Sequence, residues 1–189
     1  MANNCSPENI RVKNQIVEGL FSLLKEKPLS NIKISELIER SGVARVSYYR
    51  NFDDKEEILR YYLTDLTKTG HQQLIEYFKQ HHDIEHPFEQ RFVIAFRFFQ
   101  ENQVKLQQLI DSGLSGYFFQ FLQDLRISDD AHRNTPVNHY EHAVISGAIY
   151  SLQVEWLKSG AKESPEELAK IFTASLSPEL RQKVEARHS

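Results

Sequence analysis

The chain has 189 residues, 40% apolar and 26% charged, which suits a globular protein with a buried core and excludes a disordered or fibrous one. No window approaches the ~20 apolar residues of a membrane span, Met1 to Ser6 lacks the pattern of a signal peptide, and the single cysteine, Cys5, excludes an internal disulfide; a cytoplasmic location is expected. The formal net charge of −3 hides an asymmetry: residues 1–52 carry eight Lys/Arg and five Glu, hence +3, while the other 137 residues carry 15 basic and 21 acidic groups, hence −6.

Helical periodicity runs through almost the whole chain, and no stretch alternates like a strand bounded by turns, so the expected fold is all-α. Ser6-Pro7 offers an N-cap followed by proline at the first helical position. Ile10, Val17, Leu20, Phe21 and Leu24 then form an apolar stripe that ends at Lys27-Pro28. Loops are expected at 28–32, 80–87, 126–138 and 158–164.

Residues 33–52 carry the informative pattern. Ile34, Leu37 and Ile38 give one buried face of a two-turn helix that Ser41-Gly42 ends, with Gly42 free to take the left-handed conformation. Val43 plugs the turn, and Tyr48 and Phe52 bury the back of a second short helix. Arg45, Ser47, Tyr49 and Asn51 are then expected on the solvent side. Two short helices around a tight glycine turn fit a major groove. Arg bonds guanine edges in pairs, and Ser, Tyr and Asn donate to phosphates. Asp53-Asp54-Lys55-Glu56 opens the next helix with an N-cap Asp and a Glu three residues on.

"SGVARVSYYRNFDDKEEIL" resembles the recognition helix and following helix of the TetR/AcrR family of regulators. Gly42, Val43, Ser47, Tyr49, Phe52, Lys55, Glu56 and Glu57 match in order and spacing. The resemblance implies a three-helix DNA-binding domain at 1–53 and a helical ligand-binding and dimerisation domain at 54–189. It also implies Tyr49 and Lys55 on the DNA backbone and base contacts from Ala44, Arg45, Val46, Ser47 and Tyr48. Three positions depart from the pattern: Ile38 stands where a small residue is usual, Ala44 where a Ser or Thr caps the helix, and Lys33 where a Thr is frequent. Lys33 is still expected to meet phosphate as a point charge.

The remaining chain is rich in rings, with Phe88, Phe92, Phe96, Phe98, Phe99, Tyr117, Phe118, Phe119 and Phe121 in 34 residues. Phe92, Phe96 and Phe99 share a helical face, and a cavity bounded by Phe92, Phe96, Phe99, Tyr117, Phe118, Phe121 and Tyr150 is the expectation, with plain core packing as its rival. Tyr140 to Leu157 reads as a long helix, and Ser164-Pro165-Glu166-Glu167 caps another. "SGAIYSLQVEWLKSGAKESPEEL" resembles the family region in which two late helices pair across a two-fold axis, so Ala143, Gly147, Val154, Leu168, Ile171 and Phe172 are expected at a dimer interface.

His81, His82 and His86, and His132, His139 and His142, lie near two loops without a further convincing ligand, and no nucleophile elbow or phosphate loop occurs. Neither a metal, nor a cofactor, nor a catalytic residue, nor a membrane is expected. The expected partners are double-stranded DNA with a near-palindromic operator, a second copy of the chain, and a small apolar or aromatic effector. The function expected is that of a homodimeric repressor released from DNA by that effector. Its rivals are a coactivator controlled by a protein partner and an all-α carrier or enzyme with a vestigial head.

Overall fold

In the computed structural model, residues 6–120 and 139–186 are described; among them the chain is helical, with no strand. Helix α1 (Pro7–Leu24) starts where the Ser6 hydroxyl accepts the Asn9 N–H at 3.2 Å, with Pro7 in the first turn, where its missing N–H costs nothing. A 3₁₀ turn (Leu29–Asn31) leads to α2 (Ile34–Ser41) and α3 (Arg45–Asn51). Helix α4 (Lys55–Gln80) is capped by Asp54, whose side chain accepts the Glu57 N–H, while the Glu57 carboxylate accepts the Asp53 N–H at 2.7 Å. Its 26 residues span about 39 Å, so it joins the three-helix head to the body as one rod.

The body follows as α5 (Pro87–Glu101), α6 (Gln103–Asp111), the described part of α7 (residues 115–120), α8 (His139–Lys158), α9 (Pro165–Ser175) and α10 (Pro178–Ala186). Asn102 breaks α5 from α6, and its side-chain amide donates back to the Phe98 carbonyl at 2.8 Å. At Ser164 the capping box forms in full: the hydroxyl accepts the Glu167 N–H at 3.2 Å, and the Glu167 carboxylate accepts the Ser164 N–H at 2.9 Å.

Two apolar clusters hold these helices together. The first joins Ile16, Leu20 and Phe21 of α1, Leu37, Tyr48 and Phe52 of the head, and Ile58, Leu59 and Leu63 of α4 to Leu106 and Leu109 of α6. It extends to Phe118 and Leu157, so head and body share one core. The second seals the far end of the body, where α5 packs on α9 through Phe88, Phe96, Leu168 and Phe172, with Trp156 of α8 in the same cluster.

This arrangement corrects the single ring-lined cavity. Phe92 packs on Phe172 with ring centres 4.5 Å apart, and Phe96 lies 6.2 Å from Trp156, both at the second cluster. Phe99, Tyr117, Phe118 and Tyr150 belong to the first, where Phe99 and Phe118 meet edge-on at 5.6 Å. The shared face of α5 is real, but successive rings along it meet different helices. Phe121 lies outside the described residues, as do Cys5 and His132.

The expected dimer face is corrected in part. Leu168 and Phe172 are each 2% exposed and are spent in the chain's own second cluster. The outward face of α8 instead carries Tyr140, Ala143, Val144 and Ser151, with Gly147 and Val154 half-buried, and Ile171 is exposed on α9.

Candidate nucleic-acid interface

The position of α3 is set by how closely α2 crosses α1. Gly19 sits at the crossing, and a Cβ there would come 2.2 Å from Ser41 Oγ and 3.2 Å from Ser41 Cα. The Ser41 hydroxyl turns back to donate to the Leu37 carbonyl at 2.6 Å, which satisfies a polar group in a buried place. Leu37 is fully buried against α1. Gly42 then takes φ 65° and ψ 23°, a left-handed step that a side chain would strain, and Val43 packs half-buried beneath the turn.

Helix α3 begins at Ala44 without a side-chain cap, as the missing hydroxyl requires. Tyr48 and Phe52 bury its inner face at 0% and 2% exposure. At about 100° per residue, the outward line then runs through Arg45, Val46, Tyr49 and Arg50, all of them exposed. The Arg45 guanidinium lies 5.6 Å from the Tyr49 ring centre, and Tyr49 meets Tyr48 edge-on at 5.3 Å. This ladder of rings braces the arginine along the helix surface.

Three expectations for this surface change. Tyr48 cannot touch DNA, because its whole side chain lies in the core. Ser47 and Asn51 are half-buried on the flank, where the Asn51 amide donates to the Ser47 carbonyl at 2.8 Å. Steps of two residues turn a helix by about 200°, so Arg45, Ser47, Tyr49 and Asn51 never shared one face. Arg50, missed in the sequence, takes the place of Asn51. Counting in steps of one and four from Arg45, away from Tyr48 and Phe52, would have found it.

The basic residues of the head divide by what already holds them. Lys27 pairs with Glu36 at 2.8 Å, and Arg40 pairs with Glu26 at 2.7 Å, holding the Glu26 carboxyl below its ordinary range. Lys13 lies over the Phe52 and Tyr61 rings at 5.8 and 4.9 Å. The Lys55 ammonium donates to the Leu29 and Ile32 carbonyls at 2.6 and 2.8 Å, so it ties the 3₁₀ turn to the start of α4. Two of its three hydrogens are thereby used, which makes it a clamp within the head before it is a phosphate ligand. Lys33, Arg45 and Arg50 are exposed.

Burial pushes the Tyr48 hydroxyl pKa up to about 12, and the hydroxyl has no hydrogen-bond partner. Tyr48→Phe removes an unsatisfied polar group and is expected to raise stability by up to about 1 kcal/mol with DNA affinity unchanged. Thermal melting and fluorescence anisotropy check both halves. A large loss of affinity would return Tyr48 to the interface.

Elsewhere, a half-open pocket of about 180 Å³ lies between α4 and α5, lined by Thr67, Gly70, His71, Leu74, Ala95, Phe98 and Phe99. Among the described residues no three His, Cys, Asp or Glu side chains gather as metal ligands, and no helix is long and apolar enough to cross a membrane.

Residues 16–62 match the model of the bacterial regulatory proteins of the tetR family. The chain is 26% identical over 164 residues to YxbF of Bacillus subtilis (strain 168), described as an uncharacterised HTH-type transcriptional regulator. That match covers 82% of this chain, which spans only 42% of the length of the relative. Among solved structures, a putative TetR-family transcriptional regulator from Syntrophomonas wolfei aligns with a TM-score of 0.61 at 20% identity, over 96% of this chain and 97% of that one. A TetR transcriptional regulator from Streptococcus agalactiae 2603V aligns with a TM-score of 0.56 at 22% identity, over 87% and 93%.

Proposed function

From the match of residues 16–62 to the tetR family of bacterial regulatory proteins, we propose that this chain is a homodimeric repressor whose α3 reads a near-palindromic operator and whose body responds to a small effector. The observation that carries the reading is the outward line of α3. Two arginines, a tyrosine and a valine project from a helix whose other side is locked into the core. Arg45 and Arg50 supply donors for base edges and phosphates, Tyr49 a further donor, and Lys33 a charge at the start of α2. A duplex presents the complementary set.

Dimerisation is supported by the apolar, small-residue face of α8. Tyr140 and Val144 are 73% and 60% exposed, Ile171 on α9 is 48% exposed, and a Cβ added at Gly147 would meet open space. A second copy packing there sets two α3 helices on one face of the duplex, about 34–36 Å apart or a multiple of it. The effector reading rests on the pocket between α4 and α5, whose size suits a small molecule and whose lining by Leu74, Ala95, Phe98 and Phe99 suits a largely apolar one. Filling it would press on the rod that carries the head, and a coupling of a few kcal/mol is enough to release DNA.

Selection of duplexes from a random library by the full chain tests the function, and sedimentation tests the assembly. The expected results are two inverted half-sites and a species near twice 22.1 kDa, shifted toward monomer by Val144→Glu. Enrichment of no sequence would overturn the DNA-reading function. A monomer at every concentration would overturn the two-fold model.

A further inference from the structure

We propose that Val46 is a specificity residue of the DNA-reading surface, and that it packs against the 5-methyl group of a thymine in each half-site. The assignment rests on the DNA-reading function above. Val46 is 68% exposed, and it lies on the outermost line of α3, opposite Tyr48 and Phe52. A β-branched residue there is a poor helix former compared with alanine, and so exposed it gains little from the chain's own packing. Neither local preference nor the protein core accounts for it.

Its neighbours fix where it must go. Arg45 precedes it and Arg50 stands one turn on, so any approach that brings both arginines to the duplex brings the isopropyl group with them. Phosphate would meet an apolar side chain there at a cost, because the chain would displace water from the anion and return no hydrogen bond. The edges that bases show in the major groove are mostly donors and acceptors, and the one apolar group that projects far enough to pack against an isopropyl group is the methyl of thymine. The minor groove shows no such group. An isopropyl group held between two cations on a groove-entering helix therefore selects that methyl.

The test starts from the duplex that the full chain selects out of a random library. Each thymine of the half-site is replaced in turn by deoxyuridine, which removes the methyl and leaves base pairing intact. Wild type is expected to lose about fourfold in affinity at one thymine per half-site, the value of burying about one methyl group. V46A is expected to bind the thymine and deoxyuridine duplexes alike at that position, with the affinity wild type shows for deoxyuridine. On random-sequence duplex the two proteins should bind equally with the same salt dependence, since no charge is removed. Because the site is exposed, the variant folds, and a purely structural role would create no dependence on a methyl group of the DNA.

A selected duplex indifferent to deoxyuridine at every thymine would overturn the assignment while leaving the DNA-reading function intact. So would a methyl dependence that persists in V46A. If the library yields no preferred sequence, the DNA-reading function falls and the assignment falls with it.

Discussion

Replacing Arg45 and Arg50 together by alanine is expected to weaken binding to a selected duplex at least about a hundredfold, with the melting temperature little changed. Both side chains are exposed on α3, so the fold loses no core contact with them. A good arginine contact to a base edge contributes about 1–3 kcal/mol, and each protomer of a dimer brings its own pair. The singles should differ in kind wherever the contacts differ. Loss of a base contact relaxes preference at one position, whereas loss of a phosphate contact weakens all sequences alike and lowers the salt slope by about one unit. Anisotropy titrations on selected and random duplexes at several salt concentrations separate the two. An unchanged affinity in the double variant would move the reading surface off α3.

Gly19→Ala should destabilise the chain by about 1–3 kcal/mol, although alanine is the better helix former by about 0.5–1 kcal/mol. The clash decides the sign. The new methyl would lie 2.2 Å from Ser41 Oγ, and rotating that hydroxyl away leaves Ser41 Cβ and Cα at 3.1 and 3.2 Å. The backbones of α1 and α2 must therefore separate. At about 2–4 °C per kcal/mol for a chain of this size, thermal unfolding should show a drop of several degrees. Ser41→Ala in the same chain removes the worst overlap and should restore part of the loss, a coupling that a double-mutant cycle reads. Any separation tilts α2 and α3 relative to α1, so DNA affinity should fall further than stability alone explains. A Gly19→Ala variant that melts above wild type would show that the two helices do not cross this closely.

The helix-turn-helix was legible because its constraints are local. The turn at Gly42 needs a left-handed residue, Tyr48 and Phe52 stand one turn apart, and the caps at Ser6 and Ser164 are short-range hydrogen bonds that sequence spacing specifies. The outward face of α3 is not legible from alternate residues, because on a helix only positions three or four apart align. In the body the limits are of another kind. An apolar helix face looks the same in sequence whether it meets its own chain or a second copy. So Leu168 and Phe172 could not be told from Val144 until α5 was seen to cover them. Likewise Phe92, Phe96 and Phe99 share a face, yet their partners Phe172, Trp156 and Phe118 come from distant parts of the chain. The Gly19 approach to Ser41 is invisible for the same reason: 22 residues separate them, and only the crossing of α1 and α2 brings them together.

Entry of α3 into the major groove is measured directly by methylation interference at guanine N7, which lies on the floor of that groove. On a duplex selected by the full chain, methylation is expected to block wild type at guanines in two windows on one face of the DNA. Their centres should lie about 10–10.5 base pairs apart or a multiple of it, and Arg45→Ala should lose the block at one symmetry-related pair of positions. Interference confined to adenine N3 in the minor groove, or none at either site, would contradict it.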